Sequence, residues 1–114
     1  MIDFKTAISI LDTIQSPIVF VDLNHVIQHL NKPAEERYYK IRGYSNLIGK
    51  CLFDCHKEHS KQEILDLVER LKKGEDEIYL KIGKFHEHVT IIAVRSQSKE
   101  LIGYYERFEK IKSD

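Results

Sequence analysis

Apolar residues recur at helical spacing in two stretches of this chain and at strand spacing in five. Phe4, Ala7, Ile8 and Leu11 fall at i, i+3, i+4 and i+7, which makes one stripe on a helix. Asp3 is placed to cap that helix, and Ser16-Pro17 ends it, because a residue before proline is pushed out of helical geometry. The run Pro17–Asp22 is rich in β-branched residues and reads as a buried strand. A short turn at Leu23-Asn24 leads into a second strand, His25–Leu30, and Asp22 and Asn24 supply turn chemistry for the hairpin. Asn31 caps a short helix with Pro33 in its first turn, and Asn46–Gly49 predicts a further helical turn closed by glycine. A long helix is predicted from Ser60 to Lys73. Ser60 and Glu63 form a capping-box pair, Ile64, Leu67, Val68 and Leu71 form the stripe, and Gly74 is the stop. Three strands follow, at Glu77–Ile82, His86–Arg95 and Leu101–Phe108.

Strands grouped at the two ends of the chain, with helices between, predict an α+β fold with an antiparallel sheet rather than alternating βαβ units. At 114 residues, with no repeat, linker or low-complexity stretch, residues 1–114 read as one domain, residues 1–15 being an N-terminal helix and 16–111 the core. Charge narrows the function. Lys+Arg and Asp+Glu are both 18, so the formal net charge is zero and no basic stripe marks a nucleic-acid partner. A neutral chain also has little to oppose self-association. No basic-then-apolar leader opens the sequence, and no apolar run nears the roughly 18 residues of a membrane span. The expectation is a cytoplasmic protein with Cys51 and Cys55 as thiols.

The element order is that of the PAS fold, and specific residues carry the likeness. Ile10-Leu11-Asp12 through Pro17–Asp22 resembles the opening helix and first strand of PAS domains. Val26–Asn31 resembles the second strand and its exit. Leu47-Ile48-Gly49-Lys50 followed by Leu52-Phe53-Asp54 is similar to the family's "L-I-G-K-x-L-F-D" segment. Leu101-Ile102-Gly103 followed by Tyr104–Ile111 resembles the last strand. Asp54-Cys55-His56 also resembles a PAS subgroup found beside hemerythrin-like domains. The resemblance implies a five-stranded antiparallel sheet in order 2-1-5-4-3 with helices over one face. It further implies a module that binds a small molecule or a partner protein and passes a signal on, and dimers formed through the N-terminal helix and the open sheet face.

Candidate chemistry is sparse. Cys51-x-x-x-Cys55-His56 has one residue more than the haem c attachment pattern, and two cysteines without further ligands read as packing residues. His86 and His88 would share one strand face, as would His25 and His29, but a structural zinc site needs four ligands. The stretch Gly49–Phe53 lacks the Asn and Arg that flank the reactive cysteine of flavin-binding PAS domains. Haem-binding PAS domains of one class carry an axial His in the long helix, where this chain has Ile64; His56 or His59 are the substitutes available for haem b. By period-two alternation Tyr104, Glu106 and Phe108 point inward, which makes Glu106 either a partly buried carboxylate able to pair with a histidine or a polar ligand, or a rim residue in water.

The pocket expected from the resemblance lies between the long helix and the sheet. Its candidate lining is Phe53, His56, Leu67, Ile91 and Tyr104, with Glu106 and with hydroxyls from Tyr38 or Tyr39. Three roles are open to His56: axial haem ligand, polar partner of a small ligand, or structural residue. The familiar nucleophile, phosphate-loop, dinucleotide and zinc-protease motifs are all missing, so the expectation is a non-enzymatic sensor. The alternatives are a ligand-free module that dimerises or docks a partner, and a haem-based redox or gas sensor. No output domain is visible, so a signal must pass by non-covalent contact unless the chain is a piece of a longer protein. The homodimer is expected to form through the Phe4–Leu11 stripe.

Overall fold

The computed structural model describes residues 1–55 and 58–111; no side chain of residues 54–60 enters the description. Asp3 opens helix α1 (Phe4–Thr13) by accepting a 2.8 Å hydrogen bond from the Thr6 amide, the N-cap the sequence predicts. Strands β1 (Val19–Asp22) and β2 (Ile27–Leu30) form a hairpin in which each strand starts two residues later than expected and the turn widens to residues 23–26. Its turn is built by Asp22. One carboxylate oxygen accepts from the Asn24 and Val26 amides at 2.9 and 3.0 Å, and the other accepts from the Gln28 side chain at 2.7 Å.

Asn31 begins α2 (Lys32–Glu35), accepting from the Ala34 amide at 3.1 Å. This helix runs on as a π-helical segment, Glu36–Ile41, closed by the Arg42 amide bonding the Arg37 carbonyl. The predicted helical turn at Asn46–Gly49 is instead a single reverse turn. The Lys50 amide bonds the Leu47 carbonyl, and Gly49 takes the third position at φ +90, which side chains resist. A 3-10 turn at Leu52–Cys55 precedes α3 (Glu58–Lys72). The expected Ser60 cap therefore falls inside the helix, which starts two residues earlier. Gly74, at φ +119, lets its own amide and that of Glu75 bond back to Leu71 and Arg70, ending α3 where the sequence predicts.

Strands β3 (Glu77–Ile82), β4 (Glu87–Arg95) and β5 (Leu101–Lys110) complete a five-stranded antiparallel sheet in order β2-β1-β5-β4-β3. Cross-strand pairs fix its two faces. Ala93 stands opposite Tyr104, Ile91 opposite Glu106 and Val89 opposite Phe108, so these six share the inner face. Helices cover that face: Ala34, Val68 and Leu71 join Val21, Ile27, Ile78, Ile91 and Tyr104 in one buried cluster. Among the described residues no helix is long and apolar enough to cross a membrane.

Candidate functional site

The inner face is not filled along its whole length. Val68 and Leu71 of α3 cluster with Ile78 and Ile91 of the sheet, whereas beside that cluster a cavity of about 420 Å³ remains. Val19, Val21, Ile27 and Val89 form its apolar floor, with Leu47, Leu52 and Phe108 at the sides. The π-helical segment contributes Arg37 and Tyr38, the loop after it Arg42 and Tyr44, and the β3–β4 hairpin Lys81, Gly83, Lys84 and Phe85. Tyr104 and Glu106 reach in from β5. A π-helical turn resets the angular spacing of its residues, and such turns recur at functional sites. Here the neighbouring side chains of Arg37 and Tyr38 both reach the cavity wall.

Arg37 is held from several sides. Its guanidinium meets the Glu87 carboxylate as a two-pronged fork at 2.9 and 3.1 Å, and it lies 4.3 Å above the Phe85 ring and 5.0 Å from that of Phe108. Glu87 is buried, so the fork compensates a charge that could not otherwise sit there. Burial, and then the charge of Glu106, push the phenol of Tyr104 well above its ordinary range, and the same two causes raise Tyr38. Both phenols therefore stay protonated. Tyr104 also shares a 2.9 Å hydrogen bond with Nδ1 of His25, whose imidazole is held below its ordinary pKa by burial and then by the Lys72 charge. His25 in turn meets Phe53 in a tilted ring contact, with centroids 4.5 Å apart.

The sequence-based site is only partly assembled. Tyr104 and Glu106 line the cavity, and so does Tyr38. Glu106 is on the inner face as alternation predicts, and of the two readings it takes the exposed, rim position beside the open cavity. Tyr39 turns away and accepts from the Leu47 amide at 3.2 Å. Phe53 backs His25, and Leu67 and Ile91 belong to the packed region under α3, so none of the three lines the cavity. The cavity described here lies beside the expected space between α3 and the sheet, where Val68, Leu71 and Ile91 belong to the core. His56 lies outside the described residues. The paired histidines also separate. His86, at φ +58, is in the turn before β4, while His88 bonds the Tyr79 hydroxyl at 3.0 Å. His25, at φ +64, is in the turn before β2, and His29 is on the strand. Among the described residues no three His, Cys, Asp or Glu side chains gather as a metal site. The described lining contains no His, Cys or Met to offer haem an axial ligand, and the protonated phenol of Tyr104 is a poor one.

The parts the sequence reading missed are Arg37, Arg42, Tyr44, Lys81, Lys84, Phe85 and Glu87. Glu87 had a signal: it shares strand parity with Val89 and Ile91, which puts a carboxylate indoors and demands a cation.

A helix-flanked sheet of this order, with a cavity over its inner face, is the architecture of a PAS domain. The PAS domain family model matches residues 8–112, and the chain belongs to that family. Solved structures agree on the fold. The C-terminal domain of a Streptococcus mutans protein superposes with a TM-score of 0.75 at 21% identity, over 97% of this chain and 87% of that one. The PAS domain of the histidine kinase ThkA gives 0.58 at 19%, covering 85% and 100%. The Vibrio cholerae Aer2 receptor, described as a dual PAS-haem oxygen sensor, gives 0.55 at 24%, covering 85% and 95%. No curated protein matches the chain in sequence.

Proposed function

We propose that this PAS domain is a sensory module, acting in the cytoplasm, that binds a small molecule over the inner face of its sheet and signals through protein–protein contacts. The observation that carries this reading is the cavity of about 420 Å³, with an apolar floor and a few converging polar groups. Its lining includes a π-helical segment and a hairpin, so an occupant touches segments beyond the sheet floor. Relatives by fold include a kinase module and a haem sensor, which makes signalling the natural use of such a site.

Among the described residues nothing in the lining resembles a nucleophile with its base, and the role proposed is binding rather than catalysis. A haem-sensing variant of the reading draws its iron ligand from His56. The contact side is assigned to α1. None of its residues is buried, and Phe4, Ile10 and Ile14 at its edge are exposed. A second copy of the chain, or a signalling partner, would cover them.

Mass spectrometry under native and denaturing conditions tests the binding claim, with Val89→Phe as a variant that fills the cavity floor. Extra mass that the native protein retains and the variant loses supports the reading. A ligand-free protein whose melting temperature no small-molecule panel raises in a Val89-dependent way overturns it in favour of a pure interaction module.

A further inference from the structure

The charges around the cavity are one-sided. Arg37, Arg42, Lys81 and Lys84 line it, against a single lining carboxylate, Glu106. Arg37 is already neutralised by its fork with Glu87. The other three cations have no ion-pair partner among the described residues, although this chain pairs most of its other arginines with acids. Arg42 is held by ring faces instead, 5.5 Å from the Tyr38 centroid and 5.2 Å from that of Tyr44. Such contacts orient the guanidinium while leaving its N–H donors unspent. Lys81 and Lys84 line the cavity from the end of β3 and the β3–β4 hairpin.

We infer that the ligand is an organic anion, with a carboxylate or equivalent head between Arg42 and the hairpin lysines and an apolar body on the valine floor. This rests on the cavity being the ligand site, as proposed above. Three unpaired cations near a low-dielectric wall raise the local concentration of anions. A planar carboxylate suits the guanidinium fork. The floor of Val19, Val21, Ile27 and Val89 offers nothing to a fully polar anion such as phosphate.

Three probes with one apolar body and different heads test this: phenylacetate, phenylacetamide and 2-phenylethylammonium. Each is titrated at pH 7 into the isotope-labelled chain, with the amide signals of Val21, Gly83 and Val89 reporting the cavity. Phenylacetate is expected to bind roughly fivefold or more tightly than the amide, the worth of about one rim charge pair. The ammonium should bind weakest. Arg42→Gln, and separately Lys81→Gln with Lys84→Gln, should shrink the preference while the amide's affinity stays put. Equal binding of the three probes at the cavity amides, or a preference for the ammonium, overturns the charge assignment and leaves the cavity as a binding site. Absence of any probe effect, where native mass shows another molecule held in a Val89-dependent way, also overturns it and leaves the cavity reading standing. No probe effect together with a ligand-free native mass removes both.

Discussion

A methyl group added at Gly103 would overlap the carbonyl oxygen of Val21 and lie 2.6 Å from carbons of the Phe20 ring. Phe20 lies across the outer face of β5 at that point, in space only glycine leaves open, which gives a physical reason for the Ile-Gly pair in the last strand. Gly103→Ala should cost about 2–3 kcal/mol by overpacking, read as a lowered urea midpoint. A wild-type midpoint would show that the ring moves freely. His25 carries a pH signature. Its folded pKa lies below the ordinary 6.5, so the unfolded chain binds the proton more readily. The stability this residue contributes is complete above 6.5 and is lost as pH falls from there toward the folded value. Tyr104 acts at the other end. Its raised pKa removes stability as pH climbs past 10, the value for the unfolded phenol. A His25→Gln variant should flatten the acid slope of melting temperature and leave the alkaline one; an unchanged acid slope would assign it to other groups.

At the scale of elements, Asn31 holds the most connections. Its carboxamide oxygen accepts from the Ile18 and Ala34 amides, and its NH₂ donates to the carbonyls of Leu11 and Ser16 at 3.0 and 3.1 Å. Asp12 adds a bond from the Lys32 amide at 3.0 Å. The end of α1, the start of β1 and the start of α2 are thus tied to one buried side chain. Asn31→Ala would strand several buried groups and should cost about 3 kcal/mol or more. Hydrogen exchange should show α1 amides losing protection before those of β4 and β5; uniform loss would mean the helix is not held there. Sequence could place Asn31 as a cap, because capping is local chemistry. It could not show the bonds to Leu11 and Ser16, which depend on how α1 folds back. The same limit explains the displaced cavity. Periodicity identified α3 and the inner face of β5, but whether a helix lies on a sheet or stands off it is decided by tertiary packing. The π-helical segment likewise has no signature that separates it from an ordinary helix.

For the whole molecule, the strand order was legible because the family pattern sets it, and the faces of β5 because that strand alternates; β1, β3 and β4 carry register shifts that alternation alone does not show. Assembly is the open expectation. Ala7, Ile8 and Leu11 are half-buried within the chain, so of the predicted stripe only Phe4 is free for a second copy; the other exposed apolar residues beside it, Ile10 and Ile14, lie off that stripe. Phe4→Asp with Ile10→Asp should turn dimers into folded monomers in light scattering, and a dimer that survives would exclude α1 as the contact. The cationic lining has a consequence for the molecule as an electrical object. Formal net charge is zero over 114 residues, yet four cations and one carboxylate line the cavity. Glu87 offsets Arg37, so the cavity wall with that ion pair carries two positive charges net and the remainder two negative ones, which makes the mouth a local positive pole. A small anion then feels a directed field even though the isoelectric point is neutral. Its association rate should fall as added salt shortens the reach of that field, from about 30 Å at 0.01 M to 8 Å at 0.15 M. A salt-independent rate would mean that the poles cancel before an approaching ligand can be turned by them.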